Sequence, residues 1–138
     1  MGKAPALRHE TKPVLENLDL DRSLQLALEE LAFVQPTAVQ QDVIPLALAG
    51  ADLRVSAPTG SGKTLAYLLP GLQALLRDTL PNGGGTLMLV LVPTRELARQ
   101  VLKSCRQLLG KSSLRADALT GGCLLYTSDA ADEAKCVG

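Results

Sequence analysis

Ala57-Pro58-Thr59-Gly60-Ser61-Gly62-Lys63-Thr64 is the stretch that decides the fold. It lies between a short apolar run and a leucine-rich run with helical spacing. Gly60 and Gly62 can adopt backbone angles that other residues avoid, so successive N–H groups can surround an anion, and the positive end of the following helix adds to the attraction. In such a loop Lys63 contacts the β and γ phosphates of a nucleotide, and the hydroxyl of Thr64 binds Mg²⁺. The stretch therefore predicts a phosphate-binding loop.

The alternative for this loop is an ordinary turn that leads into a helix. The general phosphate-binding pattern has Gly at the position that Ala57 occupies here, so the match is incomplete at its first residue. The order strand, loop, helix favours the phosphate site, because it places the N–H groups of the loop at the start of the helix. Lys63 and Thr64 are the candidate catalytic residues, and Thr64 is the candidate Mg²⁺ ligand.

Outward from the loop, apolar spacing predicts helices and strands in alternation. Before the loop, one helix begins at Asp21 and a second runs from Thr37 to Gly50; after it, a leucine-rich helix follows directly and another lies between Thr94 and Gly110. Three segments are predicted strands: Leu53–Ser56, Leu87–Val92 and Leu114–Leu119. Leu87–Val92 is apolar at every position, which is typical of a central strand covered on both faces. The predicted fold class is α/β, a doubly wound parallel sheet flanked by helices, with its ligand site at the carboxyl ends of the strands.

Composition limits the class of protein. The 138 residues suit one domain, and 46% of them are hydrophobic while only 2% are aromatic, so Leu, Val and Ala must form the core. The 14 basic and 14 acidic side chains balance, so nucleic-acid binding would depend on local groups. We expect no membrane partner, because no apolar stretch is long enough to span a bilayer. The three cysteines lack zinc-site spacing, which favours a reducing compartment, and we expect a cytoplasmic protein.

Four motifs follow one another in a specific order. They are Phe33-x-x-Pro36-Thr37-x-x-Gln40, the loop 57–64, Pro93-Thr94-Arg95-Glu96-Leu97-Ala98, and Gly121-Gly122. In this order and spacing the chain resembles the DEAD-box ATP-dependent RNA helicases over about residues 15–122. In that family Ala57 is the usual first residue of the loop. Two positions depart from the family pattern: Ala32 stands where Gly is usual, and Leu15 where an aromatic residue is common.

The resemblance implies a RecA-like P-loop domain, ATP and Mg²⁺ as cofactors, and RNA as the partner. It implies that residues 14–122 are an incomplete N-terminal RecA-like domain, preceded by a flexible leader over 1–13. It is closest to bacterial members that assist ribosome assembly, which implies ribosomal RNA as one candidate. The implied nucleotide-binding residues are Phe33, Pro36, Gln40, Ala57, Pro58, Thr59, Gly60, Ser61, Gly62, Lys63 and Thr64.

Gln40 allows two interpretations. A glutamine amide presents a donor and an acceptor side by side, which matches the N6 and N7 edge of adenine. The resemblance implies that role, with Phe33 packing on the base. Thr37-x-x-Gln40 is also a capping box, which needs no ligand. Spacing alone favours the capping box, whereas the nearby phosphate loop and Phe33 favour adenine.

The implied RNA-binding residues are Pro93, Thr94, Arg95, Gly121 and Gly122. Thr94 can cap a helix while Arg95 and the N–H groups of the first turn face a phosphate. The glycine pair would let RNA approach the backbone closely. Without the resemblance, the first motif is a capped helix with a surface arginine and the second is a turn.

The tail, residues 123–138, has a different interpretation. Asp132-Glu133-Ala134-Lys135 resembles the acidic motif of the family, but Lys135 replaces its last Asp and no apolar strand precedes it to aim two carboxylates at Mg²⁺ and water. Residues 123–133 resemble a translated sequencing adapter, and our hypothesis is that homology stops near Gly122. We therefore expect the parent protein to be an ATP-dependent RNA helicase and the 138-residue chain neither to hydrolyse ATP nor to unwind RNA.

Two other functional classes fit parts of the pattern. A non-catalytic nucleotide-binding or RNA-binding module needs only the phosphate loop and the basic groups. A P-loop ATPase that acts on protein or DNA would share the loop but not the Pro93–Ala98 motif.

Overall fold

Four α-helices account for most of the regular structure. The protein is represented by a computed structural model, which describes residues 18–78 and 84–121. The helices are α1 (Arg22–Glu30), α2 (Ala38–Leu48), α3 (Lys63–Arg77) and α4 (Arg95–Leu109). Each lies where the apolar spacing predicts one. In the described ranges, none of these helices is long and apolar enough to cross a membrane.

The starts of three helices are capped by a side chain. The Asp21 carboxylate accepts a hydrogen bond from the backbone N–H of Ser23 at 2.9 Å, which begins α1. A bond from the Ser23 hydroxyl, and to a lesser extent this backbone bond, lowers the pKa of Asp21. The hydroxyls of Thr37 and Thr94 accept from the N–H groups three residues ahead, which begins α2 and α4. These are the caps that the sequence predicts. α3 differs, because it begins after Gly62 with no side-chain cap.

The ends of α1 and α2 share one hydrogen-bond pattern. At the end of α1, the N–H groups of Ala32 and Phe33 donate to the carbonyls of Glu29 and Leu28. At the end of α2, Gly50 and Ala51 donate to Ala47 and Leu46 in the same way. This is the Schellman motif, which requires a left-handed residue after the helix. Gly50 takes that role with a φ of 85°, and Ala32, the one non-glycine residue with a positive φ in the described chain, takes it with a φ of 51°.

The core is built almost entirely from leucine. α3 packs against α2 and α4, and α4 also packs against α1. Burying these aliphatic side chains is the main source of stability in the described part. The fully or nearly fully buried members are Leu20, Leu24, Leu28, Ile44, Leu68, Leu69, Leu72, Val101, Leu108 and Leu109.

The predicted sheet is not present in the described residues. Leu53–Ser56, Leu87–Val92 and Leu114–Leu119 form no strand there, so the strand predictions are not confirmed. Leu87–Val92 nevertheless alternates as a strand does: Met88, Val90 and Val92 pack against the core, while Leu87, Leu89 and Leu91 are 40%, 74% and 85% exposed. The prediction that both faces of this segment are covered is therefore wrong for the described part. The reason is that the helices supply one apolar layer, and the described residues supply no second layer.

Candidate functional site

The predicted phosphate loop forms a tight turn ahead of α3. Gly60 and Gly62 have φ values of 81° and 88°, in the left-handed region that side chains disfavour. The backbone N–H of Ser61 donates to the Pro58 carbonyl at 3.2 Å and closes the turn between them. The two glycines that the sequence singles out are therefore the two positions at which this loop needs glycine.

The start of α3 is suited to an anion. Gly62 leaves the first turn without a side-chain acceptor, and that turn contains no acidic residue. The first N–H groups of a helix lack partners within the helix and carry a partial positive charge, so an anion can satisfy them. Lys63 and Thr64 are the first two residues of α3. The Lys63 ammonium donates to the Ala57 carbonyl, which places this charge beside the loop.

Gln40 connects the start of α2 to the phosphate loop. Its side chain is 4% exposed; Oε1 accepts from the Thr37 backbone N–H at 2.9 Å, and Nε2 donates to the Gly62 carbonyl at 3.1 Å. The first bond and the Thr37 hydroxyl bond form the capping box, so that interpretation is confirmed. The bond to Gly62 joins residues 22 positions apart, and sequence spacing did not predict it.

Gly62 also packs closely against the side chains at the start of α2. A β-carbon at Gly62 would lie 2.5 Å from Gln40 Nε2 and 3.0 Å from the Thr37 hydroxyl. Any side chain there would displace the glutamine amide. Glycine at this position is therefore required by packing as well as by its φ.

Phe33 and Pro36 lie in the connection between α1 and α2. Phe33 is half-buried and packs against the leucine core, and Pro36 is buried. The Pro36 carbonyl accepts a hydrogen bond from Gln41 Nε2 at 3.3 Å. The structure thus gives both residues a role in fixing the approach to α2, close in sequence to Thr37 and Gln40.

The predicted RNA-binding residues fall in two segments that the structure brings together. Thr94 caps α4, and Pro93 and Arg95 are exposed beside it. A β-carbon at Gly121 would lie 4.0 Å from Arg95 Nη2, so Gly121 and Arg95 are neighbours despite a separation of 26 residues. Gly122 lies outside the described residues.

The loop fits a phosphate group better than a metal alone. The Ser61 hydroxyl is buried and has no hydrogen-bond partner within the described ranges, so a polar group in the loop could satisfy it. No group of three His, Cys, Asp or Glu side chains in residues 18–78 and 84–121 could hold a metal ion. Among the described residues, the Thr64 hydroxyl at the start of α3 is the candidate ligand for a cation at this site.

Sequence reasoning missed the role of Gln73 and Arg106. Gln73 is 1% exposed on α3, and its Oε1 accepts from the Asp21 backbone N–H at 2.6 Å, which fixes the start of α1. Arg106 donates to the Ala116 carbonyl at 3.2 Å and to the Asp117 carboxylate at 2.8 Å, which joins α4 to the segment before Gly121. A polar residue inside the leucine stripe of α3 is a signal that could have identified Gln73.

Comparison with solved structures defines the class of this domain. The chain superposes on the RNA helicase Prp28 from Chaetomium thermophilum, solved bound to ADP, with a TM-score of 0.67 and 35% identity over 75% of this chain and 25% of that one. A DEAD box protein from Methanococcus jannaschii gives a TM-score of 0.68 and 32% identity over 78% of this chain and 28% of that one. The described part therefore resembles the RecA-like domains of DEAD-box helicases in its fold.

Sequence comparison gives the family. The DEAD/DEAH box helicase family model matches residues 37–135, so the chain belongs to that family. It is 47% identical to the ATP-dependent RNA helicase SrmB of Escherichia coli over 112 residues, which is 81% of this chain and 25% of the relative. It is also 47% identical to the ATP-dependent RNA helicase dbp9 of Schizosaccharomyces pombe over 104 residues, 73% of this chain and 18% of the relative. The chain thus spans a quarter or less of the length of these relatives.

The family match also extends past Gly122. It ends at residue 135 and so overlaps the stretch that we interpret as an adapter-derived tail. That stretch lies outside the described residues, and the domain boundary at Gly122 stays a prediction. An intact source gene that encodes Cys123–Glu133 would contradict it.

Proposed function

We propose that this chain is the ATP-binding part of an ATP-dependent RNA helicase and that it also contributes contacts to the RNA backbone. The observation on which the proposal rests is the start of α3, which alone among the four described helices lacks a side-chain cap and follows a loop with two left-handed glycines. Family membership supports ATP as the nucleotide, because the relatives are named ATP-dependent RNA helicases.

Each residue of the loop has a proposed part in holding the nucleotide. The N–H groups between Gly60 and Thr64 donate to the phosphate oxygens, and the Ser61 hydroxyl gains the partner that it lacks. Lys63 exchanges its bond to the Ala57 carbonyl for a stronger, charge-assisted bond to a phosphate. Thr64 would supply a hydroxyl ligand to Mg²⁺, which when bound would neutralise charge on the phosphates.

Gln40 has enough hydrogen-bonding groups to cap α2 and to bind an adenine base at the same time. Its Oε1 has two lone pairs and its Nε2 has two protons, and the bonds to Thr37 and Gly62 use one of each. One acceptor and one donor remain, which is the pair that adenine N6 and N7 require. The capping box and adenine recognition are therefore compatible, with Phe33 and Pro36 fixing the backbone that leads to Gln40.

The proposed RNA contact lies at the start of α4. Arg95 is exposed and lies beside Gly121, so a phosphate could meet the guanidinium while the glycine allows the backbone to approach. Pro93 and Thr94 set the direction in which α4 begins, and Gly122, which lies outside the described residues, is a further proposed contact. Ribosomal RNA is one candidate for the natural RNA, and comparing ribosomal with unrelated duplexes of equal length would test it.

Nucleotide binding to the 138-residue chain tests the proposed site. We expect Lys63→Ala to weaken the binding of fluorescent ATP and GTP analogues at least tenfold, because it removes a charge-assisted phosphate contact. Lys111→Ala, which removes an exposed lysine beyond α4, is the matched control and should bind as the unaltered chain does. Equal affinities for the two variants would contradict the phosphate site.

Base recognition needs a second pair of variants. We expect Gln40→Ala to lower the preference for ATP over GTP, because the adenine edge loses its partner. Thr37→Ala removes the cap of the same helix, at a cost of about 1 kcal/mol in stability, without removing the amide. If Thr37→Ala lowers the preference as much as Gln40→Ala, the effect is structural and the adenine role is wrong.

We expect the chain by itself to bind nucleotide weakly and to release no phosphate from ATP, with or without RNA. Its relatives are more than three times as long, and the groups that orient water and stabilise the transition state are proposed to lie in the remaining sequence. Rapid ATP turnover by the purified chain would contradict this expectation.

A further inference from the structure

Positive charge is concentrated in and just after α4. The whole chain is neutral, yet residues 95–115 contain six basic side chains and one acidic one, a net charge of +5. A local cluster of this kind produces a positive potential even when the total charge is zero. Nucleic-acid binding, which the overall composition does not indicate, has a local source here.

The helix places these charges along one side. Arg95, Arg99, Lys103 and Arg106 follow one another at intervals of four, four and three residues, so they form a stripe along α4. The stripe spans about 16 Å of helix axis. The opposite side of α4 buries Val101, Leu108 and Leu109. We call the exposed side, made by Arg99, Leu102, Lys103, Arg106 and Gln107, the basic face.

The basic face also contains a depression in the protein surface. Its five residues line an open depression of about 430 Å³. Leu102 is half-buried while the other four lining residues are exposed, so the depression combines an apolar group with charged and polar ones. Such a surface can accept the sugars and phosphates of a nucleic-acid strand without reading its bases.

Two arginines of the basic face form ion pairs within the chain, but these pairs still allow them to bind a phosphate. Arg99 lies 3.6 Å from Glu96, and Arg106 lies 2.8 Å from Asp117, with all four side chains more than half exposed. Exposed pairs of this kind contribute little energy, and a guanidinium has five N–H donors, so both arginines can still meet a phosphate. Lys103 has no hydrogen bond or ion pair with another residue of the described ranges.

We propose that the basic face of α4 binds the RNA backbone and extends the contact that begins at Arg95 and Gly121. Because the stripe is continuous from Arg95 through Arg99 and Lys103, one strand could follow it without leaving the surface. The contact is independent of sequence, since the attraction between the cationic side chains and the phosphates does not distinguish one base from another. This inference rests on the proposed RNA-binding function.

The test measures binding of the 138-residue chain to fluorescent poly(U) RNA as a function of salt. Arg99→Gln with Lys103→Gln removes two charges while it keeps Arg106, which holds residues 116 and 117. For single strands the slope of log K against log salt changes by about 0.7 per phosphate contact, so this double variant should reduce it by about 1.4. Arg22→Gln with Arg54→Gln removes two exposed arginines elsewhere and should leave the slope unchanged.

The outcomes separate this inference from the proposed function. Equal slopes for the two double variants, with binding lost in Arg95→Gln, would overturn the basic face and leave the RNA site at the start of α4 intact. Failure of the unaltered chain to bind RNA at low salt would overturn both. If poly(glutamate) of equal charge competes as strongly as RNA, the face is a protein-binding surface and the inference is wrong. Circular dichroism of each variant checks that α4 remains folded.

Discussion

Single residues decide how two of the helices end. Ala32 and Gly50 occupy the same left-handed position of the same motif, at φ values of 51° and 85°. A residue with a β-carbon pays about 1–2 kcal/mol for this conformation, whereas glycine does not. The sequence shows Ala32 as a departure from the family pattern, and the structure shows that the departure stores backbone strain.

We expect Ala32→Gly to stabilise the chain. Relief of the strain should exceed the added entropy of the unfolded glycine, for a net gain of about 0.5–1 kcal/mol. Gly50→Ala is the matched control, because a β-carbon there would meet nothing within 4 Å, so only the backbone conformation opposes it. Urea unfolding should move to a higher midpoint for Ala32→Gly and to a lower one for Gly50→Ala. A shift in the same direction for both would contradict the strain argument.

Gln40 shows which contacts of a single residue can be predicted from sequence spacing and which cannot. It lies three positions after Thr37, and a capping box is a local pattern, so the sequence predicts the capping box correctly. The bond to Gly62 depends on the path of the chain between α2 and α3, and no local pattern contains that information.

At the scale of elements, one buried amide fixes α1 against α3. The carboxamide oxygen of Gln73 accepts from the N–H of Asp21, 52 residues away, in a region otherwise packed with leucine. The amphipathic pattern correctly predicts that α3 is buried on this side. Which backbone group near the start of α1 meets Gln73 depends on how α1 and α3 are placed relative to each other.

Gln73→Leu should destabilise the chain although it adds an apolar group to an apolar region. The substitution leaves the Asp21 N–H without its acceptor, at a cost of about 1–3 kcal/mol. Gln107→Leu, at an exposed position of α4, should change the free energy of unfolding by about 0.5 kcal/mol or less. Chemical denaturation of both variants gives the comparison. If Gln73→Leu leaves the free energy of unfolding unchanged, the Asp21 N–H must find another hydrogen-bond partner.

At the scale of the whole molecule, some large apolar side chains of the described residues are left exposed to solvent. Leu89 and Leu91 point away from the core while Val90 between them points into it. Exposed apolar side chains in a row, on extended segments without paired neighbours, favour association with other chains.

We therefore expect Leu89→Lys with Leu91→Lys to reduce self-association without loss of stability. Both side chains are already exposed, so the free energy of unfolding should change by about 0.5 kcal/mol or less. Val90→Lys places a charge against the core and should destabilise the chain by roughly 1–3 kcal/mol. Sedimentation velocity measures the association, and thermal unfolding measures the stability. Equal destabilisation by the two changes would show that the alternation of this segment is wrong.

The sequence by itself determined the local features of this protein. The helix starts at Asp21, Thr37 and Thr94, the glycine loop and the apolar side of each helix follow from contacts within a few residues, and order of motifs was enough to indicate the family. The tertiary structure decided the distant contacts: Gln40 with Gly62, Gln73 with Asp21, and Arg95 with Gly121. Within the described residues it also decided that Leu87–Val92 is covered on one side only. An apolar run indicates that burial is favourable, but it does not show which neighbouring layers are present to bury it. Local patterns encode local hydrogen bonds, whereas the meeting of distant residues depends on how the helices pack.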